Sequence, residues 1–153
     1  MLKKRLGIEA IERDWGNRKF IPSCFKIPSS LTIPEGCVKI GMQAFQDCKV
    51  LERLKIPGSV KSIGVWSFLR CRELREVVIS ESRDYVTINY SAFYSCCKLE
   101  KVEIPESVKR IGGLAFMGCK GAEIVLEINK NRVIERDAFA GCRCKYVEKE
   151  NRT

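Results

Sequence analysis

The chain has 153 residues, 45% hydrophobic content, 28 Lys and Arg against 19 Asp and Glu, and no histidine. By length it is one domain, with a basic excess of +9. The missing histidine removes the usual proton shuttle near neutral pH and any zinc site that needs an imidazole, and no apolar run approaches the roughly 18 residues of a membrane-spanning helix.

The first stretch, Met1 to Trp15, is positively charged but has no apolar core behind it, which does not read as a secretory signal and points to the cytoplasm. Leu2, Leu6, Ala10 and Ile11 suit a short helix over residues 1–14 that covers the open end of whatever follows; a strand-like degenerate repeat is the alternative. Ile21-Pro22 and Ile27-Pro28 read as irregular, proline-punctuated chain. Leu31, Ile33 and Pro34 then begin a worn first repeat, since the same residue types return at Leu54, Ile56 and Pro57. The expected organisation is a capping segment over 1–30, a repeat body over 31–147 and a polar tail over 148–153.

Within that body one block recurs five times: Ile, usually Gly, two variable residues, a small residue, Phe, two variable residues, Cys. The copies run from Ile40 to Cys48, Ile63 to Cys71, Ile88 to Cys96, Ile111 to Cys119 and Ile134 to Cys142, spaced by 23, 25, 23 and 23 residues. A fixed period of about 20–50 residues is the mark of a stacked repeat, in which each unit buries its apolar face only against its neighbours. Between blocks lies Leu-x-x-Leu-x-Ile-Pro, as in Leu51 to Pro57. Its final alternation has the period of a half-buried strand, and the proline ends it because it cannot donate to a ladder. Stacking makes these strands a parallel sheet, with Phe45, Phe68, Phe93, Phe116 and Phe139 in one buried column beside the small residues Ala44, Ser67, Ala92, Ala115 and Ala138. Gly41, Gly64 and Gly112 suit a turn with positive φ, Asn89 is the next best residue there, and Glu135 breaks the pattern, so the last turn is expected to differ in shape.

These residues resemble the BspA-like leucine-rich repeat family, whose pattern is close to Cys-x-x-Leu-x-x-Ile-x-Ile-Pro-x-Ser-Val-x-x-Ile-Gly-x-x-Ala-Phe. The match is almost position by position over 40–119 and extends over about 31–142. The resemblance implies a curved β-rich solenoid with a parallel sheet on one face and turns and short segments on the other; the residues themselves lead to no expected cofactor. Many members look like cell-surface adhesion or recognition proteins, so the resemblance favours the cell surface where the absent signal favours the cytoplasm.

Three departures stand out. The second repeat carries two extra residues within Ser80 to Val86, and insertions in solenoids map to loops on one face. In the fourth repeat Ile124, Leu126 and Ile128 alternate one position out of phase, which predicts a local irregularity, because a one-residue slip reverses which side chains face inward. Finally, Lys145 to Val147 reads as a last strand with no full cap behind it, an edge open to end-to-end self-association.

The chain has nine cysteines. The repeat ones, Cys48, Cys71, Cys96, Cys119 and Cys142, read as small buried hydrophobes whose shared direction in a ladder opposes disulfides. Cys24, Cys37, Cys97 and Cys144 are outside the pattern, no Cys-x-x-Cys pair occurs, and no metal site is expected. Two sequons, at Asn89 and Asn151, matter only in a glycosylating secretory route.

Catalysis has no support: there is no phosphate loop, nucleophile elbow or paired-carboxylate motif. Two binding surfaces remain. The outward strand residues Arg53, Lys55, Glu76, Val78, Lys101 and Glu103, with Ser30 and Thr32, should form a mixed-charge patch, and mixed signs suit a specific protein partner. The alternative is a basic ridge along the turns, from Lys49, Arg72, Lys98, Lys120 and Arg143 after each repeat Cys and Lys61, Lys109 and Arg132 before each repeat Ile. Such a line would take nucleic acid or another polyanion, though without aromatic stacking platforms.

Overall fold

The computed structural model describes residues 27–148, so the expectations for residues 1–14, Cys24 and Asn151 lie outside the described residues. Eleven short strands alternate between two sheets: β1 Ser30–Thr32, β2 Lys39–Ile40, β3 Arg53–Ile56, β4 Ser62–Ile63, β5 Glu76–Ile79, β6 Val86–Ile88, β7 Lys101–Ile104, β8 Val108–Ile111, β9 Glu123–Glu127, β10 Val133–Ile134 and β11 Arg143–Val147. The odd-numbered strands form one six-stranded parallel sheet and the even-numbered strands a second, five-stranded one. No described residue is helical. The solenoid expected from the period is present, and the segment before each repeat Ile is itself a strand ladder.

In-register stacking turns every repeat position into a column. Leu54 lies beside Leu31 and Val77, and Val77 beside Val102. The inward positions of the wide sheet are buried from β1 to β9, as are Ile40, Ile63, Ile88 and Ile111 of the second. Phenylalanine rings 45, 68, 93, 116 and 139 stack at centroid spacings of 5.0, 5.1, 5.1 and 5.6 Å, and the first three pairs are within 7° of parallel. Only Phe139, in the last rung, is partly exposed. The small residues beside the rings are all buried.

Each repeat block bonds alternately to itself and to the next rung. Ala44 N–H donates to Gly41 O, Gln46 N–H to Gln43 O and Cys48 N–H to Phe45 O, while Gln43, Phe45 and Asp47 N–H donate to Val65, Ser67 and Leu69 O. Two positions per block carry left-handed backbone: Gln43, Trp66, Ser91, Leu114 and Asp137 at the first, and Asp47, Arg70, Ser95, Gly118 and Gly141 at the second.

The glycines expected to supply positive φ therefore do not: Gly41, Gly64 and Gly112 are absent from the left-handed set. Gly64 and Gly112 are needed for closeness instead. A Cβ on Gly64 would lie 2.6 Å from Ile40 O, and one on Gly112 2.6 Å from Tyr90 N. Glu135 does not alter the last turn either. Its N–H donates to Ile111 O just as Gly112 N–H donates to Ile88 O, and Asp137 and Gly141 hold the same left-handed positions as their counterparts.

The fourth repeat also departs from expectation. Val102 pairs with Ile124 and Ile104 with Leu126 in unbroken register, and both partners are fully buried. The slip is absorbed before the strand: the path from Cys119 to Glu123 is one residue shorter than from Cys96 to Lys101, turning at Gly121 with φ +77° and placing buried Ala122 immediately before the strand. The turn after β9 is correspondingly longer, and Ile128 there is exposed.

Candidate functional site

The wide sheet presents its outward side chains as two columns. One reads Ser30, Arg53, Glu76, Lys101, Glu123 and Arg143, the other Thr32, Lys55, Val78, Glu103, Val125 and Lys145. All six residues expected to form the patch, Arg53, Lys55, Glu76, Val78, Lys101 and Glu103, are exposed on this one face. The first column alternates in sign from Arg53 to Arg143, which places opposite charges side by side across every strand pair, the favourable arrangement in a sheet. Arg53 Nε lies 3.8 Å from Glu76, and Lys101 Nζ lies 2.6 Å from Glu103 on its own strand. The hydrogen bond from Lys101 to Glu103 raises the ammonium's pKa. Lys55 and Val78 lie side by side between these pairs, and Lys55 has no ion pair among the described residues.

Sequence reasoning stopped this face at Glu103 because the fourth repeat looked out of phase. The structure extends it to Glu123, Val125, Arg143 and Lys145, and alignment on the strand apolar residues rather than on the cysteines would have revealed the extension. Arg143 is thereby moved from the ridge to the sheet, since Cys142 leads directly into β11, and its guanidinium donates to Gly121 O at 2.9 Å.

The other ridge residues divide sharply. Lys49, Arg72, Cys97 and Lys120 follow successive repeat cysteines at the same exposed turn, and no ion pair engages Lys49, Arg72 or Lys120 among the described residues. Lys98 binds the Glu73 carboxylate at 2.7 Å. Each member of the second set is engaged by a neighbour. Lys61 pairs with Asp84 at 3.0 Å, and Lys109 sits 3.8 Å from Glu106 and 5.8 Å from the Tyr85 ring centroid. Arg132 is half-buried and donates to the carbonyls of Pro105, Val108 and Glu127 at 2.7, 2.7 and 2.8 Å. Burial pulls its pKa below the ordinary arginine value. It closes the longer turn after β9.

The inserted loop is tied down rather than free. Ser82 Oγ donates to Gly58 O at 2.6 Å, Ser82 N–H donates to Ser107 Oγ at 3.1 Å, and Ser107 N–H donates to Glu81 at 3.1 Å. Glu81 and the knuckle Arg83-Asp84-Tyr85 are exposed, Tyr85 to 77%.

The repeat thiols have a polar partner that sequence reading missed. Cys71, Cys96, Cys119 and Cys142 Sγ each donate to the carbonyl of the phenylalanine one rung back, at 3.1–3.3 Å. Burial pushes Cys71 and Cys96 well up, and lifts Cys142 to about 12 with help from neighbouring thiols. These groups stay protonated and chemically quiet. All eight cysteines among the described residues are free thiols. The Asn89 amide is occupied, donating to Ser62 Oγ and Ile63 O at 3.0 and 2.8 Å. Among the described residues no group of three or more His, Cys, Asp and Glu is placed to hold a metal, and no helix is long and apolar enough to cross a membrane.

The match to a family model agrees with this repeat. The sequence model described as BspA type Leucine rich repeat region matches residues 17–149 with six copies. No curated protein matches the chain. A T. pallidum leucine rich repeat protein is similar at 25% identity over 72% of this chain and 70% of its own, TM-score 0.47. A leucine-rich repeat protein from Bacteroides capillosus is similar at 27% identity over 78% of this chain and 74% of its own, TM-score 0.41. A leucine rich cell surface protein from Faecalibacterium prausnitzii is similar at 24% identity over 82% of this chain and 35% of its own, TM-score 0.42.

Proposed function

We propose that this chain, which belongs to the BspA type leucine rich repeat family, is a non-enzymatic interaction module that binds a protein partner on its wide sheet. Repeat proteins of this type generally mediate protein interaction. The observation that carries the reading is the in-register exposure of Arg53, Lys55, Glu76, Val78, Lys101 and Glu103 on one rigid face. Val78 supplies an apolar centre, flanked across the strands by Lys55 and Glu103, and a partly apolar centre within a charged rim is the usual anatomy of a specific interface. The test is capture of partners from the native cell by the wild type and by Lys55→Glu/Val78→Arg/Lys101→Glu. A partner held equally by both proteins removes the sheet face from the interface.

A second reading rests on Lys49, Arg72 and Lys120, none of which forms a close ion pair among the described residues. Such a line suits an anionic ligand, nucleic acid or an acidic surface, and its binding must weaken steeply with salt. Binding that is insensitive to salt and survives charge reversal of all three residues rejects it. For compartment, the reading is the cytoplasm, and the alternative is the cell surface. Thiol counting on protein from its native source tests the first: oxidised cysteines reject the cytoplasm.

A further inference from the structure

Between each even-numbered strand and the next odd-numbered one, the repeat block forms a third ladder, whose small residues and phenylalanines turn inward and leave the variable positions outside. In the middle rungs those variable positions are largely apolar. Met42 and Tyr90 share one position of the block and are 49% and 45% exposed. Trp66, left-handed at φ 56°, is 37% exposed. Leu69, Tyr94 and Met117 follow the phenylalanines of three successive rungs and are half-buried. The Tyr90 ring leans over the next rung, where a Cβ on Gly113 would come 3.5 Å from its Cδ2. A run of large apolar side chains left on a surface marks an interaction site. Three residues further along their blocks than Gln46, Leu69 and Met117 stand Lys49, Arg72 and Lys120, exposed and without a close ion pair among the described residues. The carboxylates that flank them in the chain are engaged elsewhere, Asp47 with Arg70 at 2.8 Å and Glu73 with Lys98 at 2.7 Å.

We propose that this turn face adsorbs to an anionic phospholipid surface, with Met42, Trp66 and Tyr90 entering the headgroup boundary and Lys49, Arg72 and Lys120 meeting the lipid anions. The proposal rests on the basic-line reading above and names its anionic ligand. Tryptophan and tyrosine suit the membrane–water boundary because an apolar ring carries a polar edge. Interfacial binding adds buried apolar area to attraction between cations and acidic lipid, and this face holds both side by side. Each of the three cations raises affinity for such a surface about fivefold. Single-stranded nucleic acid is a poorer occupant. It needs ring faces on which successive bases stack, and Met42, Leu69 and Met117 interrupt the rings of this stripe. The wide sheet is a poorer lipid surface, since its cations alternate with Glu76, Glu103 and Glu123. The contact is with the lipid boundary only, as no helix among the described residues is long and apolar enough to cross.

The test uses the full chain carrying Trp15→Phe, which leaves Trp66 as its only tryptophan. The probes are vesicles of phosphatidylcholine and phosphatidylserine in equal parts, vesicles of phosphatidylcholine alone, and a thymidine oligonucleotide. The mixed vesicles are expected to shift Trp66 emission to the blue and to bind on the order of a hundredfold more tightly than the neutral ones. Lys49→Glu/Arg72→Glu/Lys120→Glu should lose that hundredfold or more, by the same arithmetic. Trp66→Asn should keep the far-ultraviolet spectrum, because Asn accepts left-handed backbone, and should lose about tenfold in cosedimentation with the mixed vesicles. Binding with unshifted Trp66 emission, equal affinity for neutral vesicles, or unchanged affinity in either variant overturns the proposal. An oligonucleotide that binds where mixed vesicles do not leaves the basic line standing and overturns the lipid assignment alone. Failure of all three probes to bind overturns both.

Discussion

Truncating the central ring of the phenylalanine column tests the stacking argument most directly. Phe93 is fully buried and packs against Phe68 and Phe116 at 5.1 Å on each side. Replacing it with Ala removes a buried aromatic side chain, which costs about 3–5 kcal/mol in transfer and cavity energy together. The two stacked contacts place it toward the upper end, since each aromatic pair contributes about 0.5–1.5 kcal/mol beyond area burial. A domain has only about 5–15 kcal/mol of stability, so the variant loses a large fraction of it. Because each rung contacts only its neighbours, a defect in the middle also loosens the coupling between the two halves and should broaden the transition. Phe139, with one ring neighbour at 5.6 Å and partial exposure, should lose roughly half as much on truncation, by the same contact arithmetic. Urea melts followed by far-ultraviolet circular dichroism measure both. A loss below about 1 kcal/mol for Phe93→Ala, or equal losses at the two positions, would refute the reasoning.

Four further outcomes follow from particular contacts. Gly64→Ala places a Cβ 2.6 Å from Ile40 O, a backbone atom that cannot turn aside, so about 1–3 kcal/mol should be lost in the same melts, whereas Gly36→Ala meets no atom within 4 Å and is penalised only for its φ of +89°. Arg132→Met strips the charged donor from the carbonyls of Pro105, Val108 and Glu127, with an expected loss of about 2–3 kcal/mol and faster amide exchange in the turn after β9. Iodoacetamide labelling of the native protein, read by peptide mass spectrometry, should modify exposed Cys97 and Cys144 and spare buried Cys71, Cys96 and Cys119, all becoming reactive only on unfolding. The hydrogen bonds from Arg110 and from Gly113 N–H hold the Glu135 carboxyl below its ordinary value of 4.5. Its contribution to stability is therefore complete above that value and lost as pH falls through the depressed folded value, and Arg110→Met should move the Glu135 carboxyl resonance titration back upward.

The legibility of this protein in its sequence varies with the range of the contact. The phenylalanine column follows from a period and a residue type, and it stands as expected. The fourth repeat shows where alignment on one landmark fails: counted from Cys119, Ile124 and Leu126 look displaced, but a shorter turn at Gly121 restores their register. The glycines mislead in another way. Their conservation of type along the repeat suggested positive φ, whereas the left-handed residues are Gln43, Trp66, Ser91, Leu114 and Asp137, which no intrinsic preference marks as a set. Among the cations, sequence grouped Lys49, Arg72, Lys98, Lys120, Arg143, Lys61, Lys109 and Arg132 by position in the repeat. Their neighbours one rung away separate them into unpaired charges, ion pairs and a carbonyl clamp.

The sequence alone determined that this chain stacks, because a unit of this size with one apolar stripe per strand can bury it only against copies of itself. It determined the inward columns for the same reason. Only the tertiary structure decided which charges remain available. Those depend on what the adjacent rung places within a few ångströms, across 24–27 residues of chain for Lys98, Arg110 and Arg132.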